Sequence, residues 1–280
     1  MARLPFSAQR SLGRFLGGRM YRKRGRDENI TRRNLQACFP QLDAGQLEQR
    51  VKDSLIATAT MAVETAAVWF RDEGWRASQV VEVHNFELFE QAIQNERGLI
   101  LLAPHFGNWE LAGMWSATHA PTTAIYRKPR MEAMDKMLQK VRSHGATRMV
   151  PASSRGVMAV VKALARGETT VILPDQEPAP EGGIFSPFFG QQALTMTLIH
   201  RLVSKTQPQV LMVYARRVGR GHEIGYTEPD TDIFSEDQQT AVDGLNRSIE
   251  KMVLLAPEQY QWEYKRFRKR PVGEPDFYKG

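Results

Sequence analysis

The stretch from Gly98 to Gly113, GLILLAPHFGNWELAG, constrains the fold of this chain more than any other. Its apolar run, Leu99–Ala103, has the length of a buried strand. Pro104 ends that strand because proline has no N–H to donate to a neighbouring strand. A helical pattern begins a few residues later, so the sequence predicts a strand, a short loop and a helix. His105 then lies on the loop, at the carboxyl end of the strand.

The loop carries residue types that are suited to acid–base chemistry. Gly107 permits a tight turn, and Asn108 is a good N-cap for the following helix. Glu110 falls in the first helical turn, where a carboxylate is favoured electrostatically. If the loop folds back, Glu110 reaches one ring nitrogen of His105, and the other nitrogen faces the sheet edge where open α/β sheets bind ligands. The pattern predicts a general base oriented by a carboxylate.

This pair lacks the serine that would complete a catalytic triad. A base without its own nucleophile can deprotonate a hydroxyl that the substrate brings, and the reaction it suits best is acyl transfer onto that hydroxyl. A His-x4-Glu pattern also arises by chance, and the alternative is a loop histidine beside a solvated carboxylate. Its position directly after an apolar strand favours the catalytic interpretation.

Apolar runs and helical patterns alternate through the rest of the chain. This order predicts an α/β fold: one domain with a mostly parallel central sheet flanked by helices, over residues 34–280. A long helix is predicted from about Ala44 to Phe70, with Glu64 at a solvated position; a polar neighbour of the site is the alternative. Strands are predicted at 99–103, 122–126, 148–150, 169–173, 209–215 and 222–226, and further helices at 87–94, 131–143, 153–165, 194–204 and 237–254.

The positive charge is concentrated at the N-terminus. Residues 1–33 hold ten Lys and Arg against two acidic residues, whereas the whole chain has a net charge of +7. Leu12, Phe15, Leu16 and Met20 fall at helical spacing, so residues 1–33 are predicted to form a basic amphipathic helical arm on an anionic membrane surface. The alternative is a basic helix packed on its own domain. Nucleic acid is an unfavoured partner, because no recognised nucleic-acid-binding motif appears.

Three further residues are candidates for substrate binding. Arg127 follows the next predicted strand, and it suits a phosphate or the developing oxyanion, although a surface arginine is the alternative. Asp175 ends another strand at the same sheet edge, where it is expected to orient the acceptor, pair with Arg127 or stabilise a turn. Asn108 is expected to donate a hydrogen bond in the site, with helix capping as the simpler role.

Arg266, Arg268, Lys269 and Arg270 form a second basic cluster.

Cysteine content and hydropathy exclude several classes of protein. A single cysteine, Cys38, excludes an internal disulfide and a cysteine-based metal cluster, and it is predicted to be a small core residue. The apolar segment Ala57–Phe70 is shorter than the ~20 residues that span a bilayer and contains a glutamate. The N-terminal apolar residues are interrupted by arginines, unlike those of a signal peptide. A reducing, cytosolic setting is expected.

Several motifs resemble one known family, in the same order along nearly the whole chain. The HFGNWELAG block is similar to the lysophospholipid acyltransferase superfamily and, more closely, to its late lipid A acyltransferases of the lauroyl and myristoyl type. The other matching motifs are RRNL at 32–35, CFP at 38–40, AIYR at 124–127, DQ at 175–176, PFFG at 187–190, ALT at 193–195, PEQYQW at 257–262 and KRFR at 265–268.

The resemblance implies a fold and an activity. Acyl groups pass from the thioester of an acyl carrier protein to a hydroxyl of a lipid A precursor, or alternatively of another lysolipid, glycolipid or aminolipid. His105 is then the general base and Glu110 its partner, with Gln176 of the DQ motif among the substrate-binding residues. No acyl-enzyme, metal or cofactor is expected, and the acyl carrier protein thioester is the donor substrate.

The resemblance also implies a location at the cytoplasmic face of the inner membrane. The family usually carries an apolar anchor helix ahead of the block that Arg3-Leu4-Pro5 matches, and this chain begins at that block. Peripheral attachment through the amphipathic arm is therefore expected, without a transmembrane helix.

Overall fold

The computed structural model describes residues 4–126, 131–142 and 147–279. In these ranges the helices are α1 (Phe6–Lys23), α2 (Arg26–Cys38), α3 (Ala44–Phe70), α4 (Glu73–Ser78), α5 (Phe86–Ile93), α6 (Trp109–Ala117), α7 (Glu132–Arg142), α8 (Ser154–Leu164), α9 (Leu198–Thr206) and α10 (Gln238–Val253). The strands are β1 (Val80–His84), β2 (Leu99–Leu102), β3 (Thr122–Tyr126), β4 (Thr147–Pro151), β5 (Thr169–Ile172), β6 (Gly183–Phe188), β7 (Gln191–Met196), β8 (Gln209–Val218) and β9 (Gly221–Thr227).

A seven-stranded sheet with the order β1-β9-β8-β2-β5-β3-β4 forms the centre of the fold. All of its neighbouring strands are parallel except β8 and β9. Alternate residues of β2 enter two separate apolar cores, Ile100 and Leu102 one of them and Leu99 and Leu101 the other. A strand buried on both faces reads as a continuous apolar run, as this one does. The predicted α/β fold with a mostly parallel central sheet is confirmed.

One predicted helix is wrong at its start. Residues 194–196 belong to β7, which pairs with β6 in an antiparallel hairpin, and α9 begins at Leu198. Phe189 and Gly190 join the two strands with φ angles of 48° and 75°. Two consecutive positive φ angles are typical of the tight two-residue turns that match the twist of a hairpin. Strand β1 was also not predicted from the sequence.

The N-terminal helix α1 packs along α3 through its glycines. A Cβ atom at Gly13 would lie 2.4 Å from the Thr60 Cα, and one at Gly17 would lie 2.4 Å from the Ile56 Cα. The two backbones therefore approach more closely than a side chain would allow. The arm boundary expected at residue 33 falls inside α2, which continues to Cys38. The membrane role of residues 1–33 stays a prediction.

Glu64 of α3 is fully buried, so the solvated position expected for it is wrong. Its carboxylate accepts from Arg10 Nε at 3.2 Å, Arg217 Nε at 3.0 Å and His222 Nε2 at 3.2 Å. Burial raises the pKa of Glu64, but Arg217, His222 and Arg10 together hold it far below the usual range, at about 2. Because these partners come from α1, β8 and β9, the cluster joins the N-terminal helix to the sheet.

Two expectations from composition can be compared with the structure. Cys38 lies in the core, 6% exposed, and burial raises the pKa of its thiol, as expected for a small core residue. None of the helices in the described residues combines the length and apolar character needed to cross a membrane.

Candidate active site

His105 lies on a short loop that two other segments hold in place. The Gln261 N–H donates to the His105 carbonyl at 3.0 Å, and the Asn108 N–H donates to the Ala215 carbonyl at 2.8 Å. Gly107 has a φ of 59°, and a Cβ atom there would lie 2.1 Å from the Ala215 oxygen, so the close approach to β8 requires glycine. The loop is therefore fixed between the end of β8 and the C-terminal segment.

Asp175 pairs with His105 across the edge of the sheet. Its Oδ1 lies 2.8 Å from the His105 Nδ1, and its Oδ2 accepts the His105 backbone N–H at 2.8 Å. The two residues follow β2 and β5, which are neighbours in the sheet. Burial raises the pKa of Asp175, but the imidazole charge and the hydrogen bonds from His105 bring it below its ordinary value. An ionised Asp175 holds the hydrogen on Nδ1 and leaves a lone pair on Nε2.

The hydrogen bond predicted between Glu110 and His105 is wrong. The Glu110 carboxylate instead forms an ion pair with Arg142 of α7, through Nη2 on one oxygen and Nε at 3.2 Å on the other. The ring of Trp109 packs against His105, with 4.8 Å between the ring centroids. The local spacing does place Glu110 in the first turn of α6, but its side chain is turned toward α7.

Gln176 contacts the nitrogen of His105 that Asp175 leaves open. Its Nε2 lies 3.2 Å from the His105 Nε2 and 3.2 Å from the Gln261 Oε1. The Gln176 amide hydrogens fit these two acceptors. The structure therefore places Gln176, which was expected only among the substrate-binding residues, against His105, and adds Gln261 from the C-terminal segment.

The remaining candidates have different outcomes. Asn108 caps α6, since its Oδ1 accepts the Leu111 N–H at 3.1 Å. It is fully buried, and its Nδ2 has no hydrogen-bond partner among the residues that the structure describes. Arg127 lies outside the described residues. In the basic cluster, Arg266 is buried and donates to the Leu194 carbonyl.

A cavity of about 1030 Å³ opens beside His105, between α3, α6, the sheet edge and the C-terminal segment. This is at the upper end of the range for ligand sites in proteins, about 300–1,000 Å³. One part of its lining is apolar and comes from β3, β4, β5, the residue that follows β5, and α7: Ile125, Leu138, Met149, Val171 and Leu173. Another part is polar: Gln176, Glu177, Gln259, Gln261 and Glu263.

Sequence reasoning missed several polar residues of this cavity, and three of them matter for its chemistry. Arg142, Gln261 and Glu263 all line it, and none was proposed as a site residue. The glutamine lies in the PEQYQW motif, whose match to a family was the available indication. Arg142 lies near the end of the helix predicted at 131–143 and offered no pattern of its own.

Comparisons with known proteins identify the family of this chain. The family described as "Bacterial lipid A biosynthesis acyltransferase" matches residues 1–269. Three relatives come from Escherichia coli strain K12. The lipid A biosynthesis palmitoleoyltransferase is 29% identical over 279 residues, covering 98% of this chain and 90% of that protein. The lauroyltransferase is 27% identical over 99% of this chain and 91% of that protein, and the myristoyltransferase 27% over 96% and 82%.

The matched family covers nearly the whole chain, including both cavity walls and the His105 loop. The chain therefore belongs to the bacterial lipid A biosynthesis acyltransferase family.

Proposed function

We propose that this chain transfers a fatty acyl group from the thioester of an acyl carrier protein to a hydroxyl of a lipid A precursor, at the cytoplasmic face of the inner membrane. The observation that carries the proposal is His105 in the cavity lining, with Nδ1 held by Asp175 and Nε2 against Gln176 of the polar wall. The membership of the family and the names of its relatives supply the lipid A acceptor.

The chemical step begins at the His105 Nε2. The acceptor hydroxyl gives its proton to Nε2 as its oxygen attacks the thioester carbonyl. The carbon–sulfur bond then breaks, and the imidazolium returns the proton to the departing thiolate. Asp175 stabilises the imidazolium, since its carboxylate lies 2.8 Å from Nδ1. A positioned general base of this kind contributes about 10²–10⁴-fold to the rate.

Direct transfer, without an acyl-enzyme, agrees with the composition of the cavity. The described residues that line it include four threonines but no serine or cysteine, and none of the threonine hydroxyls forms a hydrogen bond with His105. The contact on Nε2 is the amide of Gln176, which cannot act as a nucleophile. When a hydroxyl displaces this amide, the freed N–H groups can donate to the developing oxyanion.

The cavity has an apolar part and a polar part, which suit the two parts of a lipid substrate. The apolar lining from Ile125 to Leu173 suits an acyl chain, and the polar wall from Gln176 to Glu263 suits the acceptor headgroup. His105 lies where the two meet, because its loop contacts both the sheet edge and the C-terminal segment. This arrangement brings a thioester carbonyl and a headgroup hydroxyl together at the base.

An acidic acyl carrier protein has a candidate contact close to the cavity. The Arg268 and Lys269 side chains are exposed, and both residues hold Glu177, a residue of the polar wall. A carrier protein bound to these cations would have its thioester close to the cavity opening. Opposite charges at such a surface mainly accelerate association.

The test is acyl transfer by the purified chain, with lauroyl and palmitoyl thioesters of acyl carrier protein as donors. The acceptor is a lipid A precursor extracted from a strain in which this gene is deleted. We expect one added acyl chain by mass spectrometry and its loss in His105→Ala. His84→Ala is the control, because His84 is a partly exposed histidine on β1, away from the cavity. Unchanged lipid A in the deletion strain, or activity in His105→Ala close to that of the unmodified chain, would contradict the proposal.

A further inference from the structure

The carboxyl groups that line the cavity differ in their partners. Glu110 forms an ion pair with Arg142. Glu177 is enclosed, with Arg268 at 3.0 Å from one of its oxygens and the Lys269 backbone N–H at 2.8 Å from the other. Both carboxylates are therefore compensated within the chain. Glu263 lines the same cavity and is different.

Glu263 forms no ion pair with any cationic side chain that the structure describes. Its hydrogen-bond partners are neutral: the Thr58 hydroxyl of α3, at 2.9 Å from Oε2, and the Gln261 side chain. Burial raises the pKa of Glu263, although hydrogen bonds from its own backbone, Thr58 and Gln261 act in the opposite direction. A carboxylate offers about four acceptor positions, so these contacts leave capacity for a further donor.

Glu263 is connected to His105 through a series of hydrogen-bonded side chains. Gln261, one of its partners, accepts from the Gln176 amide, and that amide contacts the His105 Nε2. Two glutamine side chains therefore separate Glu263 from the base. All four residues of this series line the same cavity.

We propose that Glu263 binds the acceptor and sets its specificity: it accepts a hydrogen bond from a hydroxyl or an amide N–H next to the hydroxyl that is acylated. This inference rests on the proposed function and adds the chemistry of the acceptor. A phosphate is repelled by a carboxylate that no cation compensates, so an anionic group of the acceptor binds away from this wall. Among the described residues of the cavity lining, Arg142 is the cation that can receive it, because its ion pair with Glu110 uses Nε and Nη2 and not Nη1.

The experiment measures KM for the donor and for the acceptor separately, in Glu263→Gln and Glu263→Leu. The amide keeps the shape and an acceptor oxygen, whereas leucine removes every acceptor. We expect the KM for the lipid A precursor to rise in both variants, more in the leucine variant. There the rise should be roughly tenfold to a hundredfold, the range for a lost hydrogen bond to a charged group. The KM for the lauroyl thioester of acyl carrier protein should stay within about twofold.

Glu258→Gln is the matched control, because Glu258 lies on the adjacent turn and not in the cavity lining. Equal acceptor KM values in the unmodified chain and both folded variants would overturn the role of Glu263. A parallel rise in both KM values would also overturn it, since that result indicates a distorted cavity. If the unmodified chain acylated no lipid, the proposed function itself would be wrong, so the two failures are distinguishable.

Discussion

The carboxylate of Asp175 accepts two hydrogen bonds from His105, one from the ring Nδ1 and one from the backbone nitrogen. In each, the nitrogen and the oxygen are 2.8 Å apart. This double contact fixes both the loop and the ring. Neither hydrogen bond depends on local sequence spacing, because the residues are 70 positions apart. Their meeting follows from β2 and β5 being neighbours in the sheet.

The first prediction concerns this pair. Asp175→Asn should lower kcat by about 10²–10⁴-fold. The two hydrogens of His105 lie on different carboxylate oxygens, and the asparagine would place an NH₂ group against one of them. Single-turnover acyl transfer measures this loss. The double variant with His105→Ala should be no slower than His105→Ala alone, since the two residues act as a unit.

Glu110→Gln is the matched comparison for that experiment. Glu110 contacts Arg142 and not His105. The loss of kcat in Glu110→Gln should therefore be at least about tenfold smaller than the loss in Asp175→Asn. An equal or larger loss in Glu110→Gln would show that Glu110 is the partner of His105 during catalysis.

The second prediction concerns the stability of the Glu110–Arg142 pair, in which Glu110 is 9% exposed. Arg142→Gln should lower the free energy of unfolding by about 1.5–3 kcal/mol, because it leaves a buried carboxylate without its cation. Adding Glu110→Gln should restore part of the loss. Urea denaturation measures both, and a double variant less stable than Arg142→Gln would contradict the pairing.

The third prediction compares two adjacent glycines of α1. Gly17→Ala should lower the free energy of unfolding by about 1–3 kcal/mol, because the new methyl group meets the Ile56 backbone. Gly18→Ala should raise it by about 0.5–1 kcal/mol, since a Cβ atom there meets nothing within 4 Å and alanine favours a helix. Thermal melting distinguishes the two, and equal shifts would contradict the packing of α1 on α3.

The fourth prediction concerns pH. Burial lowers the pKa of His222 in the folded state, so the unfolded chain binds the proton more readily. The stability contributed by neutral His222 is therefore present above pH 6.5 and falls as the pH decreases below it. Melting temperatures should fall between pH 7.5 and 5.5. The decrease should be smaller in His222→Gln, which keeps a donor toward Glu64 but does not titrate.

The fifth prediction concerns the membrane. Phe15 is 61% exposed on α1, next to the exposed Arg14 and near the exposed Arg19 and Arg22. Phe15→Ser should weaken sedimentation with vesicles that contain anionic lipid by about tenfold or more, since burial of a phenylalanine contributes about 1.5–3 kcal/mol. Phe234→Ser is the control, because Phe234 is also exposed but lies elsewhere. Equal losses in both variants would contradict a specific role for α1.

The fold was predicted from the sequence where local patterns decide it. The apolar run Leu99–Ala103, ended by proline, gave β2, and the similar run at 169–173 gave β5. The hairpin β6–β7 was missed because its two-residue turn places Phe189, a residue type that rarely accepts a positive φ, in the left-handed region. Turns with glycine or asparagine at both positions are far easier to recognise.

The site was predicted in part. His105 and Asp175 were both expected at the same sheet edge, and both lie there. The partner of His105 was not predicted. The local spacing suggested Glu110, whereas the order of strands in the sheet places Asp175 beside the His105 ring. Glu64 shows the same difference, since three distant segments supply the partners that allow its burial.

The amide of Gln176 on the His105 Nε2 has a consequence under the proposed mechanism. This nitrogen already has a hydrogen-bond donor, so a water molecule must displace a tethered side chain to reach it. A lipid hydroxyl held by additional contacts would compete better than a free water molecule. Under that mechanism, hydrolysis of the thioester would therefore be slower than transfer of the acyl group to the lipid.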